Sequence, residues 1–262
     1  MRITYRNINN KDYWNNRWGN IPADEPMTNT DVYPLKYSEM VIKNNEGEIL
    51  EAGCGNGRIL RYYHNQGNKI IGFDFIEAAI DKLKKTDPTL RVEVGDITKL
   101  SFENESFKYI LAFGLYHNLE NGLEDAVVET HRVLKKNGLV CASFRADNIQ
   151  TRLTDWLANR RSNTLDSNKH LVFHKMNLTK NEFSSLFENN GFSIENIYSV
   201  ENMPILYKFP FFRAKSHMNF NENIARSEGY KLSELGKILQ NILMKYFLNQ
   251  FCNINVIIAR KV

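Results

Sequence analysis

GEILEAGCGNGRILRYY, residues 47–63, passes from a short apolar run through three glycines at alternate positions into a helical pattern. A strand feeding a glycine-rich turn and then a helix lets a ligand approach the backbone, because a Cβ would block the way. A dinucleotide turn of the form G-x-G-x-x-G counted from Gly53 requires glycine at position 58, and that position is Arg58. The pattern is instead E-x-G-x-G-x-G, with Glu51 ahead of Gly53, Gly55 and Gly57. A carboxylate there opposes a pyrophosphate and suits a ligand that carries an ammonium group.

Working outward, KIIGFD (69–74) reads as a second strand ending in Asp74, placed to accept hydrogen bonds from ribose hydroxyls. VEVGDITKL (92–100) puts Asp96 just after a third strand, at the carboxyl edge where open α/β sheets bind ligands. Each acid alone is compatible with a solvated strand end; three at successive strand ends favour one nucleoside pocket.

Strand-like and helical runs alternate on either side. EILEA, KIIGF, LRVEV, YILAF and LVCASF are the strands, and RILRYYHNQ, EAAIDKLKK and LEDAVVETHRVLKK the helices. This alternation predicts an α/β fold with a mostly parallel sheet and helices on both faces. Asn137-Gly138 is expected as the turn between the third of these helices and the next strand. After Phe144 the rhythm breaks, and residues 145–178 are expected to be irregular. LTKNEFSSLFENNGFSIENIY (178–198) then offers a capping box at Thr179 and Glu182, an apolar helical face and a stop at Gly191. A second irregular stretch follows. Leu232, Leu235, Ile238, Leu239, Ile242, Leu243, Tyr246 and Phe247 mark a last helix, and INVIIARK a seventh strand.

In this order and spacing the motifs ILEAGCGNGRIL, IIGFDF, VEVGDITKLSFENESFKYILAFGLYHNL and ETHRVLKKNGLVCASF resemble those of class I S-adenosylmethionine-dependent methyltransferases, of the small-molecule type 11-like group. The likeness covers residues 47–144 strongly and the remaining strands loosely. It implies a Rossmann-like sheet of seven strands with the last antiparallel, and a single domain. Residues 1–36 would be an arm or lid and 37–144 the cofactor core. Residues 145–178 and 203–231 would be insertions that, with the arm, form a substrate cap; 179–202 and 232–262 would complete the core.

The resemblance further implies S-adenosyl-L-methionine as cofactor and S-adenosyl-L-homocysteine as product. Gly53, Cys54 and Gly55 would meet the methionine part and Glu51 its amino group. Asp74 would hold the ribose, with Phe75 beside the adenine. Asp96 would take the adenine amino group next to Ile97, and Phe113 and Gly114 would lie beneath the sulfonium. Two departures count: Lys108 stands where the family often has an acid, and the D/N-P-P-Y/F motif of enzymes acting on planar amino nitrogens is absent, which disfavours adenine or amide methylation.

On the acceptor side, His117 in GLYHNL is either a general base or a residue that shapes its loop. His170 and His174 stand beside the first insertion; H-x-x-x-H without a third ligand is a weak metal signal, and no metal is expected. His131 sits on a helix away from the ligand edge and reads as structural. Tyr13, Trp14, Trp18 and Tyr33 of the arm either pack it on the core or turn aromatic faces toward a cationic sulfonium. The first insertion carries a modest basic excess, Arg145, Arg152, Arg160, Arg161, Lys169 and Lys175 against Asp147, Asp155 and Asp166, which either meets an anionic acceptor or faces solvent.

The bulk composition fits this reading. The chain has 262 residues, 42% hydrophobic and 24% charged, enough for a substantial core. Its net charge of +4 is spread among interleaved acids, which gives little reason to expect nucleic acid. Cys54, Cys141 and Cys252 lack the spacing of a disulfide or metal framework, and no run is long enough to cross a bilayer, so a cytoplasmic protein is expected. The expected reaction is methyl transfer to oxygen or nitrogen of a small or sugar-like acceptor. Carbon methylation of a lipid or quinone-type acceptor is the nearest alternative; a nicotinamide-dependent oxidoreductase and a non-catalytic cofactor-binding protein are others.

Overall fold

A computed structural model of the chain describes residues 1–21, 23, 25–42, 46–162, 171–219 and 229–262. The strands are β1 (Arg2–Arg6), β2 (Ile49–Ala52), β3 (Ile70–Asp74), β4 (Arg91–Val94), β5 (Phe107–Ala112), β6 (Leu134–Arg145), β7 (Val172–Asn177), β8 (Phe192–Val200) and β9 (Ile254–Lys261). The helices are α1 (Asn10–Asn20), α2 (Leu35–Val41), α3 (Arg58–Asn65), α4 (Glu77–Thr86), α5 (Leu123–Val133), α6 (Ile149–Ser162), α7 (Lys180–Glu188) and α8 (Glu234–Phe251).

Seven strands form one sheet in the order β4-β3-β2-β5-β6-β9-β8, mostly parallel with the last strand antiparallel. β2 pairs in parallel with both β3 and β5, so the chain winds outward in opposite directions from this strand. That is the topological switch point, and ligands of such sheets lie outside the carboxyl ends of the strands there. β2 is buried along its whole length, as a strand covered on both faces must be.

The chain divides into two units. The first comprises residues 1–145, 169–198 and 256–262. Its core joins Leu50, Ile110, Val140 and Ile257 of the sheet to Val127 of α5 and Phe183 and Phe187 of α7, all fully buried. α7 begins with the expected capping box: the Thr179 hydroxyl accepts from the Glu182 amide, and Glu182 accepts from the Thr179 amide at 2.9 Å. The second unit comprises residues 146–168 and 199–255. In it the Asn148 side chain donates to the Cys252 carbonyl at 2.6 Å, and the buried Gln240 of α8 donates to Glu201 at 2.7 Å.

Three local expectations are corrected. The helix α5 ends at Val133, and Leu134–Gly138 are the first part of β6, accommodated by a register shift against β5 between Phe107 and Tyr109. Asn137 still adopts the left-handed backbone, at φ 61°, but inside the strand. The stretch 145–178 is not irregular, for it contains α6 and β7. The arm begins with a strand, since β1 pairs antiparallel with β7 in a separate two-stranded sheet. Among the described residues no helix is long and apolar enough to cross a membrane, and the three cysteines are buried and form no disulfide.

Candidate active site

The glycine turn after β2 is held against the end of β3. The amides of Gly53 and Cys54 both donate to the Phe73 carbonyl, at 2.9 and 3.0 Å. Gly55 and Gly57 lie in the left-handed region, at φ 52° and 84°, which side-chain-bearing residues avoid. A Cβ on Gly57 would stand 2.5 Å from Leu83, so this position also lets α3 and α4 approach. Arg58, where a dinucleotide turn would have glycine, opens α3.

Asp74 closes β3, and its carboxylate ties the two turns together. Oδ2 accepts from the Gly55 amide at 2.8 Å and Oδ1 from the Ile76 amide at 2.9 Å. The group is 8% exposed, and burial pushes its pKa above the usual carboxylate range despite those bonds. The Phe75 amide also reaches this carboxylate, and the lone-pair direction that the three amides leave open suits a ligand hydroxyl. Glu51, one strand over, is also buried at 5% exposure. Burial, and then the charges of Asp74 and Glu51, drive the Cys54 thiol well above its ordinary pKa.

The next positions toward the sheet edge differ in character. Phe75 is half exposed, with the Lys11 ammonium 5.3 Å from its ring centroid. Asp96 is exposed, and its Oδ1 is fixed by the Thr98 amide and hydroxyl at 2.9 and 2.8 Å, while Ile97 beside it is buried. An exposed aromatic, an exposed acid and a buried aliphatic side chain at neighbouring strand ends suit a flat heterocycle with an amino group.

After β5, Gly114 turns at φ 79° and its amide donates to Ser143 Oγ of β6 at 2.9 Å. The same oxygen lies 2.8 Å from the Tyr33 hydroxyl, and the Tyr33 ring meets Phe113 edge-on at 5.8 Å. Burial pushes the Tyr33 hydroxyl up to about 12, so it stays protonated at neutral pH. His117 follows in a short turn, Tyr116–Asn118, with its ring edge-on to Phe144 at 5.8 Å. Burial, and then the charges of Arg145, Lys175 and His174, hold His117 well below 6.5, so the imidazole is neutral at neutral pH.

The arm closes over this edge from α1. Trp18 is 9% exposed and packs on Ile76 and Ala79; a Cβ on Gly55 would come within 3.0 Å of its indole. Lys82 of α4 donates to the Trp18 and Ile21 carbonyls and holds the end of α1 in place. Trp14 stacks on Trp18 at 5.3 Å, and Tyr13 lies under the Arg6 guanidinium at 3.9 Å. The structure therefore brings together Glu51, Gly53, Cys54, Gly55, Asp74 and Trp18, and places Tyr33, Phe113, Gly114 and His117 along the neighbouring strand ends. His174 lies on β7, and His170 falls outside the described residues. His131 is remote, packed on Phe192 and Gly191. Ser143 was not anticipated: a serine inside an apolar strand is the signal that could have drawn attention to it. Among the described residues no group of three or more His, Cys, Asp or Glu is disposed to hold a metal.

Residues 49–138 match the family described as a methyltransferase domain. A probable S-adenosylmethionine-dependent methyltransferase of Mycolicibacterium smegmatis is 26% identical over 168 residues, covering 64% of this chain and 60% of that protein. The malonyl-[acyl-carrier protein] O-methyltransferase of Enterobacter lignolyticus is 24% identical over 111 residues, 42% of this chain and 44% of that one. The chain thus spans less than two thirds of the length of these curated relatives. Among solved structures, a SAM-dependent methyltransferase of Methanosarcina mazei superimposes with a TM-score of 0.59 at 16% identity, over 88% of this chain and 98% of that one, a likeness of fold. The match over residues 49–138 and the fold together imply methyltransferase chemistry with S-adenosylmethionine as cofactor.

Proposed function

We propose, from the class I S-adenosylmethionine-dependent methyltransferase domain in this chain, that the protein transfers a methyl group to oxygen or nitrogen of a small acceptor. The observation that carries this reading is the buried Asp74 carboxylate, bonded to the Gly55 and Ile76 amides beside a glycine turn at the sheet's switch point. When bound, S-adenosylmethionine supplies a methyl group on a cationic sulfur.

The chain's own residues then divide the work. Gly53, Cys54 and Gly55 offer backbone without obstruction to the methionine part, and Glu51 faces its ammonium. Asp74 accepts from the ribose hydroxyls, Phe75 and Ile97 flank the adenine, and Asp96 accepts from its amino group. Phe113 and Gly114 underlie the reacting centre. Trp18 covers the turn and excludes water, which raises the contribution of positioning to the rate. Neutral His117 can take a proton from an acceptor hydroxyl, a role its depressed pKa permits. Oxygen is favoured by the name of the Enterobacter relative, an O-methyltransferase.

Calorimetric titration with S-adenosylmethionine and S-adenosylhomocysteine tests the reading, followed by assay of S-adenosylhomocysteine release with pools of small hydroxylated, amino and carboxylated acceptors. Binding of both ligands and release with an acceptor pool are expected. Binding of NADH with no S-adenosylmethionine binding would overturn it, and cofactor binding with no turnover on any pool would leave a binding protein.

A further inference from the structure

Helix α1 has little in its own sequence to keep it folded. Its eleven residues read NKDYWNNRWGN, with four asparagines and a glycine. Those residue types favour a helix weakly, and a helix of this length is marginal even in a favourable sequence. Asn9 caps it, accepting from the Asp12 amide at 2.8 Å. The rest of its order comes from where it is fastened.

The fastenings lie at opposite ends. At the start, Asn10 donates to the Asn118 carbonyl of the turn after β5 at 2.7 Å. At the end, the Lys82 ammonium of α4 donates to the carbonyls of Trp18, Gly19 and Ile21, the Gly19 bond at 3.3 Å. An ammonium has three N–H donors, and here it meets three carbonyls. The last carbonyls of a helix lack intrahelical partners and carry the negative end of its dipole, which suits a cation.

Between the fastenings, Lys11 stands 5.3 Å from the Phe75 ring centroid. Trp18 packs on Ile76 and Ala79, with its indole against Gly55. One short helix thus runs from the turn after β5, past the end of β3, to the glycine turn after β2. These are positions that hold the methyl donor in the methyltransferase reading. The Trp18 carbonyl is one of the three that Lys82 holds, so lifting α1 from the glycine turn requires these bonds to break.

We propose that Lys82 latches α1 over the donor site, and that release of this latch sets the rates at which S-adenosylmethionine enters and S-adenosylhomocysteine leaves. The inference rests on the methyltransferase reading and deepens it. Lys82 is a positioning residue, which acts through α1 and Trp18 and not by contact with the ligand.

A latch has a kinetic signature that a binding contact lacks. The Lys82 bonds join α4 to α1 with or without ligand, so they favour closure equally in both states and cancel from the affinity. Weakening them raises the open fraction in both, and association and dissociation accelerate together. Loss of a contact to the ligand instead accelerates dissociation alone and raises Kd.

The test follows association and dissociation of S-adenosylhomocysteine on the full chain by stopped-flow tryptophan fluorescence, with Kd from calorimetry. Lys82→Met keeps the aliphatic stem and removes the donors. Both rates should rise at least roughly tenfold, because bonds from a charged donor are the stronger kind, while Kd stays within roughly threefold. Lys82→Arg should bring both rates back toward the parent, and Lys84→Met, at an exposed position of the same helix, should change neither. Asn10→Ala frees the opposite end of α1 and should accelerate both rates in the same way, which keeps the inference testable if Lys82→Met does not fold. Rates within about twofold of the parent in Lys82→Met, or in Asn10→Ala where that variant alone folds, would overturn the latch. Faster dissociation with unchanged association would overturn it too, leaving α1 as part of the binding surface. Failure of the unaltered protein to bind S-adenosylhomocysteine would instead overturn the methyltransferase reading, and the latch with it.

Discussion

Replacing Asp74 separates a residue that shapes the turn from one that holds a ligand. In Asp74→Ala the amides of Gly55 and Ile76 lose acceptors at 2.8 and 2.9 Å, in a place where the carboxylate itself is 8% exposed. A buried amide without a partner costs about 1–3 kcal/mol, so two give about 2–6 kcal/mol. Removing a buried charge offsets part of that, because burial already disfavours the ionised form. A net loss of about 1–3 kcal/mol in stability is expected. The binding loss is larger: two charge-assisted bonds from a ribose diol contribute about 1.5–3 kcal/mol each, or roughly a hundredfold to ten-thousandfold in affinity for S-adenosylhomocysteine. Asp74→Asn keeps the shape and one acceptor oxygen but turns an NH2 group toward one of the amides, and should fall between. Thermal melting and calorimetry on both variants give the two quantities separately. A lowered melting temperature with affinity within twofold of the parent would refute the ribose assignment and leave Asp74 as a turn-forming residue.

The pH dependence of Asp74 has opposite signs for folding and binding. Its folded pKa is raised, so its contribution to the stability of the ligand-free protein is fully present below the unfolded carboxyl value and is lost as pH rises through the folded one. Ligand affinity should instead fall as pH drops through that raised value, and the fall should disappear in Asp74→Asn. His117 lies well below 6.5 in the fold, so its contribution is present above about 6.5 and is lost as pH falls toward the folded value. His117→Asn should flatten melting temperature against pH over that interval and, if the base role holds, lower turnover with cofactor affinity preserved. Gly57→Ala must place a Cβ 2.5 Å from Leu83 at φ 84°, and a loss of about 2–4 kcal/mol in stability is expected by denaturant titration. Tyr33→Phe removes a bond of 2.8 Å to Ser143 while keeping the ring on Phe113; a fall of about 0.5–1.5 kcal/mol in stability should appear by melting.

The glycine turn and the acids that follow β3 and β4 were legible because their signals are local. The glycines need their residue type for their own backbone angles, and Asp74 and Asp96 follow their strands directly, so a strand reading also places the acid. The capping box at Thr179 belongs to the same kind, since both partners lie within one helical turn. β1 was not legible because it is stabilised by residues 172–177, and in RITYR the alternating apolar pair Ile3 and Tyr5 is the exposed side of the strand, so no buried face announces it. α6 does carry Ile149, Leu153, Trp156 and Leu157 at helical spacing, but that stripe is short, stands among charged and polar residues and stays substantially exposed, so it was outweighed by the polar composition of the stretch. The basic excess after Phe144 was visible, but it looked like one insertion. The fold divides it, with Arg145 ending β6 and Lys175 buried on β7.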